Sequence, residues 1–328
     1  MEQTAAAEGI PVDKVDLHIM RLLSANCRAP YRNIASTVGI STNAVKTRVK
    51  KMLAKGVIQK FIVVVNAAIF GYEKDCVLIL RNVDKIIREQ EEEDGYIFNQ
   101  VNLLGDVRYY VKQLGGAAIF LVLLRPDAED KIKSMNNLLK PAIVEYKFIM
   151  INPPSMNVNI TDLKIIKCLS SNARMEIADI AKEASISPRT TTKRIEKLQQ
   201  HHIIDFRIIR DMSSMNLSGY IEFLLMVDVD KSAYGEIIER MYSEMQEYLI
   251  TIPPNVSGNE LIIALFFCSN IPTVDSIGGT VKFYDGVLGV ELFIITKLIY
   301  HQEWLEREIN KRLRPYSKTT TIRLPALK

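Results

Sequence analysis

The sequence predicts an α+β chain that writes one pair of parts twice: a three-helix helix-turn-helix unit ending in a strand, then a βαββαβ sandwich. Three observations carry this. A shift of 146 residues lays residues 16–58 over residues 162–204 without a gap, and a fixed-period echo marks a repeated structural unit. Charge alternates in step with the echo: residues 12–60 hold ten Lys/Arg against two Asp/Glu (+8), and residues 61–150 hold eleven against thirteen (−2). Residues 158–210 then hold ten against six (+4), and residues 211–297 four against twelve (−8). Finally, each basic block is followed by short β-branched and aromatic runs separated by helical stretches and turn residues.

The first unit opens on a cap. Asp13 and Asn159 are N-cap residues, each with an aspartate three positions on, Asp16 and Asp162, as a capping box requires. Val12 and Val158 precede these caps, and Leu17 and Leu163 follow four residues later, giving the hydrophobic staple. The first helix carries Leu17, Ile19, Met20, Leu22 and Leu23 at helical spacing. A short second helix holds Ile34, Ala35 and Val38 on one face, and Gly39 supplies the positive φ of a tight turn. Ser41 caps the third helix, and Ser187 does so in the second copy, with Pro188 at the first helical position. Gly56 ends that helix in the first copy. The second copy has His202 there, which should strain or lengthen the end. The run VIQKFIVVVN then reads as a strand, so each unit is a winged or strand-tailed helix-turn-helix.

That geometry is the one used to present a helix to a major groove. The third helix turns Thr42, Asn43, Lys46, Thr47 and Lys50 outward and Val45, Val49 and Met52 inward. Between Ser41 and Lys60 lie six Lys/Arg and no acid. Lys46, Arg48, Lys50 and Lys51 are placed to meet phosphates; Thr42, Asn43, Thr47 and, in the second copy, Arg189 sit where base edges are read, with the capping Ser41 beside them on the DNA-facing side. The second copy offers Ser187, Arg189, Thr192, Lys193, Arg194 and Lys197, diluted by Glu196 and Asp205, so the first copy should be the stronger reader. Arg48 and Arg194 have an alternative role, tying the third helix to an acid of the first.

The acidic blocks carry the other half of the repeat. CVLILRNV, VRYYVKQL, AAIFLVLL and VEYKFIMI are strands, interleaved with helices over residues 84–103 and 127–139. IEFLLMVDV, LITIP, LIIALFFC and VELFIITK retrace them, with helices over residues 233–248 and 273–284. This is the ferredoxin-like order, with helices on one sheet face and the other face open. The open apolar face calls for a second such sheet, which the chain supplies itself. The boundaries are helix-turn-helix domains at 12–60 and 158–208, linker strand and sandwich at 61–151 and 209–297, and a C-terminal helix and tail at 298–328. The helix is expected over residues 297–313, and residues 152–157 (NPPSMN) form an uncharged hinge.

Composition excludes several classes. No apolar run reaches the roughly 18 residues of a membrane span, and the first residues lack the pattern of a signal peptide. The four cysteines are scattered without a CxxC pair, which implies reduced thiols in a cytoplasmic setting rather than disulfides or a zinc site. No nucleophile–base set, metal spacing or phosphate loop occurs, so no catalytic residue, metal or cofactor is expected.

The stretch from Val12 to Gly71, with D-x-x-D-x-x-I, N-x-R, I-A, V-G-I-S, V-x-x-R-V and G-V-I, resembles the Lrp/AsnC family of bacterial and archaeal transcription regulators. The second copy keeps D-x-x-I-I, N-A-R, I-A, I-S and R-I-x-x-L. The resemblance implies two members fused into a pseudo-dimer: two winged helix-turn-helix domains alternating with two RAM-type sandwiches, acting on double-stranded DNA. It also implies a nucleoid location, further homo-oligomerisation, and a small-molecule effector such as an amino acid at the turn between the second and third sandwich strands. Those turns read Gly115-Gly116-Ala117-Ala118 and Gly258-Asn259-Glu260-Leu261, neither keeping the acid of the family's G-x-x-D. The fused architecture is also similar to siroheme decarboxylases, which carry an R-H-R run after the linker strand; VNAAIFGY and RDMSSMNLSGY have no histidine there. A third reading has the second helical unit holding a protein partner instead of DNA.

Overall fold

The computed structural model describes residues 12–83, 95–126, 139, 142–253 and 258–314. Apart from Leu139, the helix expected over 127–139 lies outside the described residues, as do the first part of that over 84–103 and the tail beyond 314. In the first head, α1 (Lys14–Ala25), α2 (Tyr31–Val38) and α3 (Thr42–Ala54) lead into β1 (Ile58–Val65). The Asp13 carboxylate accepts from the Asp16 N–H at 2.8 Å, and Asp16 accepts from the Asp13 N–H at 3.3 Å, closing the capping box. The second head repeats this in α5 (Ile160–Ser171), α6 (Ile177–Ala184), α7 (Pro188–Gln200) and β6 (Ile204–Arg210). Its box is made by Asn159 and Asp162, at 3.0 and 3.1 Å.

Where the first head uses glycines, the second does not. Gly39 and Gly56 take φ of 77° and 74°, and their counterparts Ser185 and His202 take 59° and 53°. Both helix ends keep the same backbone turn, so the second head holds side chains in a region that costs roughly 1–2 kcal/mol each. The departure at His202 strains the end rather than lengthening it.

Each sandwich has the strand order 4-1-3-2. The first contains β2 (Lys74–Arg81), α4 (Gly95–Asn102), β3 (Asp106–Gln113), β4 (Ala118–Leu124) and β5 (Ile143–Met150). A short α8 (Met212–Leu217) leads to the second, made of β7 (Ile221–Val229), α9 (Tyr234–Glu244), β8 (Leu249–Thr251), β9 (Leu261–Cys268), α10 (Ile271–Lys282) and β10 (Val287–Tyr300). The two join edge to edge as β5-β2-β4-β3-β10-β7-β9-β8. Helices cover one face of each half. The other faces meet in a common core that includes Val77, Ile79 and Leu121 from the first half and Leu224, Ile263 and Phe293 from the second.

Two seams tie the halves. Strand β10 pairs with β7 through Ile294, then shifts register and pairs with β3 from Ile295 to Tyr300. The helix expected from Lys297 therefore begins only at Glu303, as α11 (Glu303–Leu313). Leu298, Ile299 and Tyr300 are apolar at a spacing that suits either structure, and pairing with Val111, Tyr110 and Tyr109 decides for strand. The second seam is a separate two-stranded ribbon: β1 pairs antiparallel with β6, so each head's tail strand is completed by the other head.

Two buried ion pairs stand inside this frame. Arg108 and Asp75, each 1% exposed at the side chain, meet at 2.9 Å. Arg108 occupies the register shift between Val107 and Tyr109, where an extra residue re-aims a side chain inward. Burial pushes the Asp75 carboxyl up to about 6 despite the guanidinium beside it. Arg210 grips both oxygens of Glu222, at 3.0 and 2.5 Å, and donates to the Ser24 hydroxyl at 2.8 Å.

Candidate nucleic-acid interface

The third helix of each head is held by its inner face and a cap, leaving its outer face to solvent. Val45, Val49 and Met52 are buried on α3, as Thr191, Ile195 and Leu198 are on α7. The Ser41 hydroxyl accepts from the Ala44 N–H at 3.1 Å and the Ser187 hydroxyl from the Thr190 N–H at 3.2 Å. Asn43, Lys46, Thr47, Lys50 and Lys51 are exposed, with Thr42 half-buried beside them. In the second head Arg189, Lys193, Glu196 and Lys197 are exposed, and the half-buried Thr192 turns its hydroxyl back to the Pro188 carbonyl at 3.1 Å. Among the described residues no ion pair engages Lys46, Lys50, Lys51, Arg189, Lys193 or Lys197, so these cations are available to an anionic surface.

Arg48 and Arg194 are placed differently. Arg48 reaches Asp13 at 2.7 Å and Asp16 at 2.8 Å, while Arg194 reaches Asp162 at 2.8 Å. Of their two expected roles, the geometry supplies partners for the anchoring one: each arginine ties the third helix to the first helix's capping box. Burial pushes the Asp13 carboxyl up, yet the Asp16 N–H and Arg48 together hold it below its usual value. Hydrogen bonds that Arg48 donates to Asp16 and to Asp13 hold its guanidinium above its own usual value.

The duplicated N-x-R joins the heads. Asn26 and Asn172 each accept from the N–H two residues on, at 2.9 Å, which sets the loop after the first helix. From that loop Arg28 crosses to the Ala173 and Met175 carbonyls, at 2.7 and 2.9 Å. Arg174 returns to the Cys27 carbonyl and lies over the Tyr31 ring at 4.2 Å. The clasp is reciprocal, as a twofold interface demands. Its signal in the sequence was the repetition itself.

The expected effector turns differ from one another. Gly115 and Gly116 have φ of 92° and 78° in the β3–β4 turn, and a side chain at Gly115 would meet open space. Gly258 lies against Ile149 of the other half, 3.2 Å from where a Cβ would stand, with Asn259 and Glu260 exposed beside it. The cysteine thiols are free, and burial pushes those of Cys27 and Cys76 up to about 12. No cluster of metal-ligating side chains occurs among the described residues, and no helix there is long and apolar enough to cross a membrane.

Two capped helices, presented with their cations outward on heads clasped about a twofold, define a tandem winged helix-turn-helix protein. Residues 12–53 match the AsnC-type helix-turn-helix domain and residues 158–205 the winged helix-turn-helix DNA-binding domain. Among curated relatives, an uncharacterized HTH-type transcriptional regulator of Pyrococcus furiosus is 34% identical over 94 residues, 29% of this chain and 63% of the relative. HTH-type transcriptional regulator Ptr1 of Methanocaldococcus jannaschii is 37% identical over 90 residues, covering 26% and 61%. Regulatory protein AsnC of Haemophilus influenzae is 31% identical over 91 residues, covering 26% and 61%. The chain thus spans about three fifths of the length of the first relatives it matches. Among solved structures, the siroheme decarboxylase NirDL is 13% identical at a TM-score of 0.47, covering 92% of this chain and all of that one. E. coli AsnC is 22% identical at a TM-score of 0.31, covering 43% and 93%. Superpositions this loose carry no functional argument.

Proposed function

We propose that the chain is a sequence-specific, DNA-binding transcriptional regulator whose two reading helices are delivered by one polypeptide. The observation that carries this reading is the pair of capped third helices with exposed cations on their outer faces, in heads clasped to each other. Lys46, Lys50 and Lys51 supply affinity through phosphates; Asn43, Thr42 and Thr47 address base edges, and Arg189 does so from the second head. The relatives named as transcriptional regulators support a regulator over an enzyme. A cytoplasmic, nucleoid-associated location and further assembly of the pseudo-dimeric chains accompany the proposal. The effector, of amino-acid type, is assigned to the open Gly115-Gly116 turn in preference to the packed Gly258-Asn259-Glu260 turn.

Selecting duplexes from a random library, then titrating the winner between 50 and 200 mM salt, tests this. With six to ten phosphate contacts, affinity falls about 10³–10⁵-fold across that range. Salt-independent binding, or no binding to any duplex, sinks the reading. Replacing Lys193 and Lys197 by alanine separates the heads' roles: unchanged affinity would make the second head a platform for a protein partner.

A further inference from the structure

The ribbon β1–β6 does not sit flush on the sandwich. Between them lies a partly open cavity of about 130 Å³. Its roof is ribbon, with Ile62 and Val64 of β1 beside Ile209 of β6; its floor is the shared sandwich face, with Val77, Val111 and Leu224. Both heads run into the roof, since α3 continues into β1 and α7 into β6 within a few residues.

The charged side chains in its lining are committed to neighbours. Arg210 is held by Glu222 and Ser24. Arg207 donates to the Ser24 and Ala25 carbonyls, at 3.0 and 2.6 Å, and pairs with Asp205 at 2.9 Å. Each of these guanidinium groups thus already faces a carboxylate, and an amino-acid carboxylate would find no uncompensated cation. Dry apolar cavities of this size, about 150 Å³, hold benzene-sized molecules.

We propose that this cavity is a binding site for a compact, uncharged, apolar molecule of about six heavy atoms, aromatic or branched aliphatic. Its occupant clamps the ribbon to the sandwich and thereby fixes both heads. The site is separate from the effector turns; its action on DNA, though not its existence, rests on the regulator reading.

Benzene is the probe, with benzoate as the charged control, on the full chain. Saturating benzene should raise Tm by about 1–3 °C. It should also slow amide exchange in residues 58–65 and 204–210 at least threefold, and benzoate should do neither. Val111→Phe on the floor and Val64→Phe on the roof fill the space from opposite walls, so one misfolded variant leaves the other. Either folded variant should lose the benzene response. Absence of any benzene effect on the wild type, or an equal effect on a filled variant, overturns the site. Binding that leaves ribbon exchange unchanged overturns the clamp. On a library-selected duplex, benzene should change affinity at least threefold in the wild type alone. A protein that binds benzene with a slowed ribbon but binds no duplex refutes the regulator reading and upholds the site.

Discussion

Arg48 and Lys50 stand two positions apart on α3 and face different partners. Arg48 is a third exposed and spans two carboxylates of the capping box, whereas Lys50 is exposed and pairs with no acid among the described residues. Arg48→Ala should lower the stability of the first head by about 0.5–1 kcal/mol, read as a Tm shift, because two acids near a helix start lose their cation. Lys50→Ala should leave Tm unchanged, weaken binding uniformly across duplex sequences, and reduce the salt slope by about one. The reverse pattern would mean the roles are exchanged. With the Asp13 carboxyl depressed, its contribution is present above its unfolded value and lost as pH falls through the lower folded one. The strained pair Ser185 and His202 gives an opposite sign: Ser185→Gly and His202→Gly should each raise stability by about 1 kcal/mol by chemical denaturation, less the added freedom of the unfolded chain.

Among the elements, the heads were legible almost residue by residue. Capping boxes, the Gly39 turn and the inner face of α3 are local features, written within a few positions of where they act. Strand β10 was legible only in part. A short apolar run at Leu298–Tyr300 suits a strand or a helix, and what settles it is β3, almost two hundred residues earlier. Arg108 and Asp75 were invisible for a related reason: a charge in a strand looks solvent-facing until a bulge turns it inward. The pair makes a pH prediction. Folded Asp75 titrates near 6 while the unfolded carboxyl titrates near 4, so the folded state binds the extra proton between those values. Its contribution to stability should therefore rise as pH falls from 6 to 4. In Asp75→Asn that rise should be missing from the pH dependence of unfolding, and the variant should be less stable at pH 7 because Arg108 keeps a buried charge without its carboxylate. The arginine clasp is likewise non-local. Arg28→Ala and Arg174→Ala should each cost about 1–3 kcal/mol of head stability, and a double-mutant cycle should find them coupled.

At the scale of the whole molecule, the alternating charge blocks map onto alternating parts: cation-rich heads over acidic sandwiches. Sequence periodicity gave away the number and order of parts, while the edge-to-edge joining of the sandwiches and the crossed pairing of β1 with β6 depend on faces brought together only by folding. The cavity beneath the ribbon is the extreme case, since its walls come from both heads and both halves. The hinge at residues 152–157 lies at the surface with Pro153 exposed and Pro154 half-buried. Cutting it should leave one particle of unchanged mass by light scattering in native buffer. Two separating halves would mean that the seams are weaker than their pairing implies.

Strand β10 is common property of the two sandwiches, and that sets how the protein answers to its own abundance. A reader assembled from separate chains loses its second grip on DNA when diluted below its association constant, so occupancy of its targets turns on with a threshold. On the proposed regulator reading, the second grip of this chain travels with the first at any dilution. Occupancy of a site that needs both heads should therefore follow copy number in simple proportion, down to the scarcest expression a cell allows.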